Sequence, residues 1–290
     1  MSKKIKTQIN ARAKVRAAGQ VITEAKIKSK ATTKKTTKNI NQDLKAVDLI
    51  LLMEKKANSR FYRDKRPILA RFFKTGKGQY GEGDIFLGLE VPLVRSYAKK
   101  YKTLKLAEVK KLLAHKVHEI RLVGLLILVA KYEGDKNREA RQKIVGFYLQ
   151  NSARVNNWDL VDLSAYKILG DFLLSEAPQK AQALLKKLAE SKNLWERRIA
   201  MVSTYAFIKA GRKEEVILIA KKLLKDGEDL IHKASGWMLR ELGQRLGEDK
   251  LEEFLQTYGK EMPRTALRYA TEKFDKVKKI YYYNLNKNKK

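Results

Sequence analysis

Residues 118–130 read HEIRLVGLLILVA, and this stretch decides the fold class. Ile120, Val123 and Ile127 recur at intervals of three or four residues, which places them on one face of an α-helix. The apolar run over residues 122–130 is well short of the roughly 18 residues that a membrane-spanning helix needs. The stretch therefore predicts a helix buried inside a folded protein.

Helical spacing continues on both sides of this stretch. Leu44, Val47 and Leu51 keep it near the beginning of the chain, and Ile199 and Val202 keep it later. Further helices are predicted over residues 178–191, 214–225, 229–246 and 263–274. No segment reads as a strand, and four prolines in 290 residues favour helix throughout. The sequence predicts an all-α protein built as an α-solenoid, in which pairs of helices stack without a crisp repeat period.

The net charge indicates the kind of partner. The chain has 64 Lys and Arg against 32 Asp and Glu, a formal charge of +32. Such a field attracts polyanions, of which nucleic acid is the commonest that a protein meets and an anionic membrane surface is the competitor. Binding of this kind releases counterions, so the affinity should fall steeply as salt rises.

Residues 1–40 differ from the rest of the chain. They contain twelve basic residues and one acid, Glu24, and residues 31–39 are almost entirely Lys, Thr and Ala. A segment this polar cannot bury enough apolar surface to offset its ordering entropy, so we predict a disordered basic tail that tethers the protein to a phosphate backbone. A transit peptide is the alternative interpretation. Residues 41–290 are predicted to form the folded helical domain, which is still basic without the tail.

No catalytic metal or thiol chemistry is expected. The chain has no cysteine, which removes disulfides, thiolate metal sites and a cysteine nucleophile. His115 and His118 lie three residues apart, but no HExxH pattern or carboxylate cluster completes a metal site. We expect neither a metal nor an organic cofactor.

One segment interrupts the helical pattern. Residues 74–88 read KTGKGQYGEGDIFLG, with five glycines, and must form a loop. A phosphate-binding glycine loop needs a preceding strand and a following Lys-Ser/Thr, and neither is present. We interpret the segment as a connector that is packed into the core by Phe86 and Leu87.

Three places along the chain could form a functional site. Trp158 and Asp162 share a helix face at i and i+4, although an N-cap followed by a core tryptophan would give the same sequence pattern.

The second place is a helix from residue 195 to 209, on which Arg198 falls at the edge of the apolar stripe and Arg197 points to solvent. Arg198 could reach a groove, or its stem could simply cover the core.

The third place is a tryptophan between two cations. Trp237 lies at the border of an apolar helix face, between Lys233 and Arg240. This combination suits a nucleic-acid surface, but it is also found in ordinary boundary packing.

Taken together, these segments resemble the AlkD-like alkylpurine DNA glycosylases, a family of HEAT-like helical repeats. The resemblance covers most of the chain after residue 40, and no single piece of it is decisive. The matching segments, in order, are RFFKTGKGQYGEGDIFLGLEVP (71–92), HEIRLVGLLILV (118–129), NNWDLVD (156–162), LWERRIA (194–200) and HKASGWMLRE (232–241).

The resemblance implies a function and a set of site residues. It implies a superhelix of degenerate HEAT-like repeats with a concave basic surface, and a catalytic aspartate at Asp162. It also implies groove-facing tryptophans at Trp158 and Trp237 and a DNA-contacting arginine at Arg198. Lys233 and Arg240 are further candidates for DNA binding.

The expected activity is hydrolysis of the N-glycosidic bond of N3- or N7-alkylated purines in duplex DNA. We expect a cytoplasmic monomer that needs no membrane. The competing hypothesis is a helical scaffold that binds nucleic acid without catalysis, in which Asp162 is only a cap or a solvated charge.

Overall fold

The helix that the sequence predicts to be buried is enclosed by the rest of the fold. In a computed structural model of the protein, which describes residues 44–284, this helix runs from His118 to Gly134. Every side chain from His118 to Val129 is buried, polar ones included. The apolar run is thus covered on all sides by other parts of the chain. None of the helices within this part of the chain is long and apolar enough to cross a membrane.

The compact unit begins at Ala46 and is helical over most of its length. Its helices are α1 (Ala46–Ala57), α2 (Arg60–Arg63), α3 (Arg66–Phe72), α4 (Val91–Lys100), α5 (Leu106–Leu113), α6 (His118–Gly134), α7 (Arg138–Gln150), α8 (Trp158–Ala165), α9 (Asp171–Leu174), α10 (Pro178–Ala189), α11 (Leu194–Lys209), α12 (Glu214–Lys222), α13 (Asp229–Leu246), α14 (Glu248–Tyr258), α15 (Arg264–Ala270) and α16 (Lys276–Asn284). A 3₁₀ turn (Ser152–Arg154) precedes α8, and a π-helical turn (Tyr166–Gly170) joins α8 to α9.

The helices form two rows. Helices α6, α8, α11, α13 and α15 pack side by side in chain order and form one row, which we call the inner row. Most of the other helices pack behind this row, for example α5 on α6, α10 on α11 and α14 on α13. This is the arrangement of an α-solenoid, and the all-α prediction is confirmed. Among residues 44–284 the β-type pairing of backbone is limited to an isolated bridge between Ile85 and Val117.

The glycine-rich segment after α3 is held by buried charge rather than by helical packing. The carboxylate of Glu119, 2% exposed, accepts hydrogen bonds from the backbone N–H groups of Leu87, Gly88 and Leu89 at 2.9, 2.8 and 3.2 Å. These bonds satisfy three amides that no helix or sheet could pair. Phe86 and Leu87 are buried, as the connector interpretation requires.

The helix boundaries agree with the sequence patterns where the pattern is long. The helix predicted over residues 229–246 has those bounds, and the helix predicted over 263–274 ends four residues earlier, at Ala270. The tail predicted for residues 1–40 lies outside the described part of the chain.

A glycine sets the spacing between α13 and α15. A Cβ atom on Gly236 would lie 2.4 Å from the carbonyl oxygen of Ala266 and 2.5 Å from the Cβ of Tyr269. We therefore expect Gly236→Ala to lower the free energy of unfolding by about 2 kcal/mol, because the helices must separate.

Urea denaturation of Gly236→Ala beside Gly146→Ala provides the control. Gly146 lies in α7 with no atom within 4 Å of the added Cβ, so that substitution should stabilise the protein by up to about 1 kcal/mol through helix propensity. Equal effects of the two substitutions would show that α13 and α15 are not in close contact.

Candidate functional site

Helices α8, α11, α13 and α15 of the inner row and the glycine-rich segment line a cavity of about 780 Å³. All six residues that the sequence singled out line it: Trp158, Asp162, Arg198, Lys233, Trp237 and Arg240. They come from α8, α11 and α13, which are consecutive members of one row. Residues up to 82 positions apart in the chain therefore meet in one place.

Trp158 and Asp162 are positioned by the beginning of α8. The side-chain oxygen of Asn157 accepts the backbone N–H of Trp158 at 2.8 Å, which makes Asn157 the N-cap. Trp158 is thus the first residue of the helix, and Asp162 follows one turn later on the same face. The ring of Trp158 stacks on buried Phe73 at a centroid distance of 5.4 Å. The N-cap of α8 is therefore Asn157, and neither Asp159 nor Asp162 has that role.

Asp162 and Arg198 form a bidentate ion pair across α8 and α11. The Nε and Nη2 atoms of Arg198 donate to the two carboxylate oxygens at 3.0 and 2.7 Å, and Nη1 donates to the carbonyl of Leu230 at 2.5 Å. The side chain of Arg198 is 5% exposed and that of Asp162 is 20% exposed. Burial raises the pKa of Asp162, and the neighbouring guanidinium opposes that shift. The pair fixes the carboxylate in one orientation at the cavity wall.

Arg197 does not point to solvent, which corrects the helical-wheel prediction. Its Nε and Nη2 atoms donate to the two carboxylate oxygens of Asp226 at 2.6 and 3.3 Å, and its Nη1 atom donates to the carbonyls of Ser191 and Lys192. The connection after α12 folds back over this face of α11 and supplies the carboxylate. The wheel gives the direction of a side chain, but it contains no information about what packs there.

Around Trp237, the two predicted cations are also paired. The Nζ of Lys233 lies 2.8 Å from Asp229, one turn earlier on α13, and Arg240 pairs with Glu272. The indole N–H of Trp237 donates to Glu241 at 3.2 Å. In the free protein, the positive charge of these two side chains is thus largely compensated.

Further lining residues were not identified from the sequence as parts of a site. The aromatic side chains of Phe72, Tyr80 and Tyr269 join the two tryptophans at the cavity wall. Phe72 meets Trp158 edge to face at 5.9 Å. Phe72 and Tyr80 come from the end of α3 and the glycine-rich segment, so that segment is more than a connector. In the sequence, the aromatic residues of RFFKTGKGQY (71–80) were the signal that could have indicated this part of the site.

A buried group of charges lies behind Trp158. The ring of His118, 2% exposed, contacts Asp159 through Nε2 at 2.8 Å and Asp84 through Nδ1 at 3.3 Å. Asp84 also accepts from Arg121 at 2.5 Å and from Asn157 at 3.1 Å. Burial by itself would lower the pKa of His118, but the charge of Asp159 and the hydrogen bonds of both carboxylates outweigh it and raise the pKa to about 9.

These contacts tie three parts of the protein together. Asp84 belongs to the glycine-rich segment, His118 begins α6 and Asp159 is in the first turn of α8. Two aromatic rings cover the imidazole, Phe86 at 4.8 Å and Phe73 at 5.0 Å, and Phe73 in turn stacks on Trp158. His118 is therefore a structural cation. Within residues 44–284, no group of three or more His, Cys, Asp or Glu side chains is placed to hold a metal ion.

The cavity can bind a cation against its walls and an anion at its rim. Aromatic faces and a fixed carboxylate attract positive charge, while lysine and arginine at the same cavity attract phosphate. The fold and this site define a helical-repeat protein with a cleft whose chemistry suits nucleic acid.

The comparisons with known proteins agree with this class. The model of the DNA alkylation repair enzyme family matches residues 53–274. A solved structure of a predicted DNA alkylation repair enzyme from Enterococcus faecalis aligns with 73% of this chain and 96% of its own, with a TM-score of 0.56 and 17% sequence identity. That likeness shows the fold. No curated protein matches the chain.

The chain belongs to the DNA alkylation repair enzyme family. Its role is therefore in DNA repair, and its partner is DNA. All six candidate residues lie within the matched region.

The pKa of His118 makes the stability depend on pH. Because the pKa is raised from 6.5 to about 9 on folding, the stabilisation is fully present below pH 6.5 and is lost as the pH rises through 9. We expect the free energy of unfolding to fall by up to about 3 kcal/mol over this window.

Urea titrations between pH 6 and 10 would measure this effect. His118→Gln should remove the dependence, whereas His115→Gln should retain it, because burial lowers the pKa of His115 instead. An unchanged pH profile in His118→Gln would contradict the assignment of this cation.

Proposed function

We propose that the protein is a DNA glycosylase that hydrolyses the N-glycosidic bond of purines alkylated at N3 or N7. The observation that carries the proposal is the position of Asp162. Its oriented carboxylate lines a cavity that is walled by aromatic rings and large enough for a nucleotide. Membership of a DNA alkylation repair family supports the same class of substrate.

The role of Asp162 follows from the charge of the reaction. Alkylation at N3 or N7 makes the purine cationic, so the base leaves as a neutral molecule and the positive charge passes to the sugar. A carboxylate held close to that sugar stabilises the oxocarbenium-like transition state. Water then adds to the sugar carbon and releases a proton, which leaves an abasic site and a free base. No metal or organic cofactor is required for these steps.

The aromatic walls contribute to the recognition of charge. Trp158 and Trp237 offer electron-rich faces to a cationic nucleotide, and Phe72, Tyr80 and Tyr269 extend the same surface. Trp158 is held by its stacking on Phe73, so its face is already in place before DNA binds. We propose that this wall recognises the charged lesion without a deep base pocket.

The basic residues position the DNA in this proposal. A guanidinium has five N–H donors, and Arg198 uses three of them on Asp162 and Leu230. The remaining two can bind a backbone phosphate while Asp162 stays oriented. Lys233 and Arg240 would contact phosphates nearby, exchanging their carboxylate partners for the DNA.

The competing hypothesis is a scaffold that binds DNA and does not cut the glycosidic bond. Scattered candidate residues would favour it, since binding alone needs no convergence. The convergence of Trp158, Asp162, Arg198 and Trp237 on one cavity supports the glycosylase instead.

Asp162→Asn tests the catalytic role. The amide keeps the shape of the side chain but has no charge, so release of alkylated base from methylated duplex DNA should fall at least about 100-fold, with DNA binding largely retained. Asp226→Asn is a matched control, because Asp226 is also paired with an arginine of α11 but does not line the cavity.

Normal base release by Asp162→Asn would exclude the assigned role. No release by the native protein, with binding intact, would establish the scaffold.

The second test is the charge of the lesion. We expect release of 3-methyladenine or 7-methylguanine but not of uracil or hypoxanthine, because a neutral base gains little from the aromatic wall and is a poorer leaving group. Parallel assays on duplexes with each lesion would measure the ratio. Comparable rates on neutral bases would mean that the cavity does not select for charge.

A further inference from the structure

Lys74 differs from the other cations that line the cavity. Arg198 pairs with Asp162, Lys233 with Asp229 and Arg240 with Glu272. Lys74 forms no ion pair with any residue in the described part of the chain, and its side chain is exposed. A phosphate that binds to Lys233 or Arg240 must displace a carboxylate, and one that binds to Arg198 shares the guanidinium with Asp162. The charge of Lys74 is not shared with a carboxylate in the described part of the chain, and its side chain is exposed to solvent.

The backbone of Lys74 is also unusual. Its φ of 51° lies in the left-handed region, and among residues 44–284 it is the one non-glycine residue with a positive φ. Asparagine or glycine would adopt this conformation at a lower cost than lysine. This backbone conformation therefore does not favour lysine, so the reason for a lysine at this position lies in its side chain.

The surrounding loop holds Lys74 at the cavity. The N–H of Gly81 donates to the carbonyl of Lys74 at 3.1 Å and closes the loop. A Cβ atom on Gly81 would lie 2.3 Å from the carbonyl oxygen of Phe73, so the backbone at Gly81 is in direct contact with the backbone at Phe73. Phe73 itself is buried against Trp158. The ammonium group is thus attached next to the wall that Trp158 forms.

We propose that Lys74 is a DNA-binding residue that contacts a backbone phosphate of the strand whose nucleotide occupies the cavity. The glycine-rich segment would then supply both aromatic wall and phosphate contact. The inference rests on the proposed function only in that DNA must occupy this cavity. It does not depend on whether the glycosidic bond is broken.

A purely structural role makes a different prediction. The Nζ of Lys74 lies 6.0 Å from the centroid of the Tyr80 ring, at the limit of a cation–π contact. If this contact were the reason for the lysine, its removal would destabilise the fold. If phosphate binding is the reason, removal weakens DNA binding and does not destabilise the protein.

The experiment measures affinity for a methylated duplex over a series of salt concentrations, using the full chain. For Lys74→Gln and Lys74→Asn we expect weaker binding and a slope of log K against log salt that is lower in magnitude by about 0.9, the value of one phosphate contact. Lys74→Arg should retain the native slope. The melting temperature of Lys74→Asn should be equal to or a few degrees above that of the native protein, because the strain at φ 51° is relieved.

Lys187→Gln controls for the loss of one positive charge. Lys187 is exposed on α10, behind the inner row, and does not line the cavity. Its removal should leave the slope within error of the native value. An equal change of slope in Lys187→Gln would mean that only net charge matters, and this would overturn the proposal.

Two further outcomes separate the hypotheses. An unchanged slope in Lys74→Gln, or a lower melting temperature in Lys74→Asn, would overturn the phosphate contact. Base release by the native protein would uphold the glycosylase even in that case. A reduced slope without any base release by the native protein would support the contact at Lys74 and refute the glycosylase.

Discussion

The site depends on how the protein compensates the buried carboxylate of Asp84. This side chain is 5% exposed, and an unpaired charge at such depth would be very unfavourable. Arg121 and His118 from α6 and the amide of Asn157 all donate to it. His118 also binds Asp159, so these contacts fix the glycine-rich segment, α6 and α8 relative to one another. They also fix the position of Trp158, because Trp158 begins α8 directly after Asn157.

A second level of organisation is the pairing of charges inside the cavity. The excess of basic residues in the sequence predicts a basic surface, yet three of the four basic side chains that line the cavity are bound to carboxylates. Such pairs keep the site ordered without DNA and remain exchangeable for phosphate. The Asp162–Arg198 pair differs from the others because Arg198 is almost fully buried and also binds the carbonyl of Leu230. We therefore expect it to stay formed when DNA binds.

The glycine-rich segment shows where prediction from sequence failed. Its glycines and its lack of periodicity correctly indicate a loop, and Phe86 and Leu87 are correctly assigned to the core. The connector interpretation nevertheless missed that Lys74 and Tyr80 of this segment line the cavity together with Phe72, the last residue of α3. Loop direction is set by contacts with distant residues, here Glu119 bound to backbone amides about 30 positions earlier. No local pattern contains that information.

The sequence by itself determined the helical class, the approximate helix bounds and the faces of α8, α11 and α13 that carry the candidate residues. These properties depend on the spacing of residues within one helix, which is local. The resemblance to a repair family, read from the order of short segments, is confirmed by the family match. Only the tertiary structure decided which charges are paired: Arg198 with Asp162, Arg197 with Asp226, and His118 between Asp84 and Asp159. A buried ion pair forms between groups that folding brings together from separate helices and loops, so its partners cannot be identified from either segment alone.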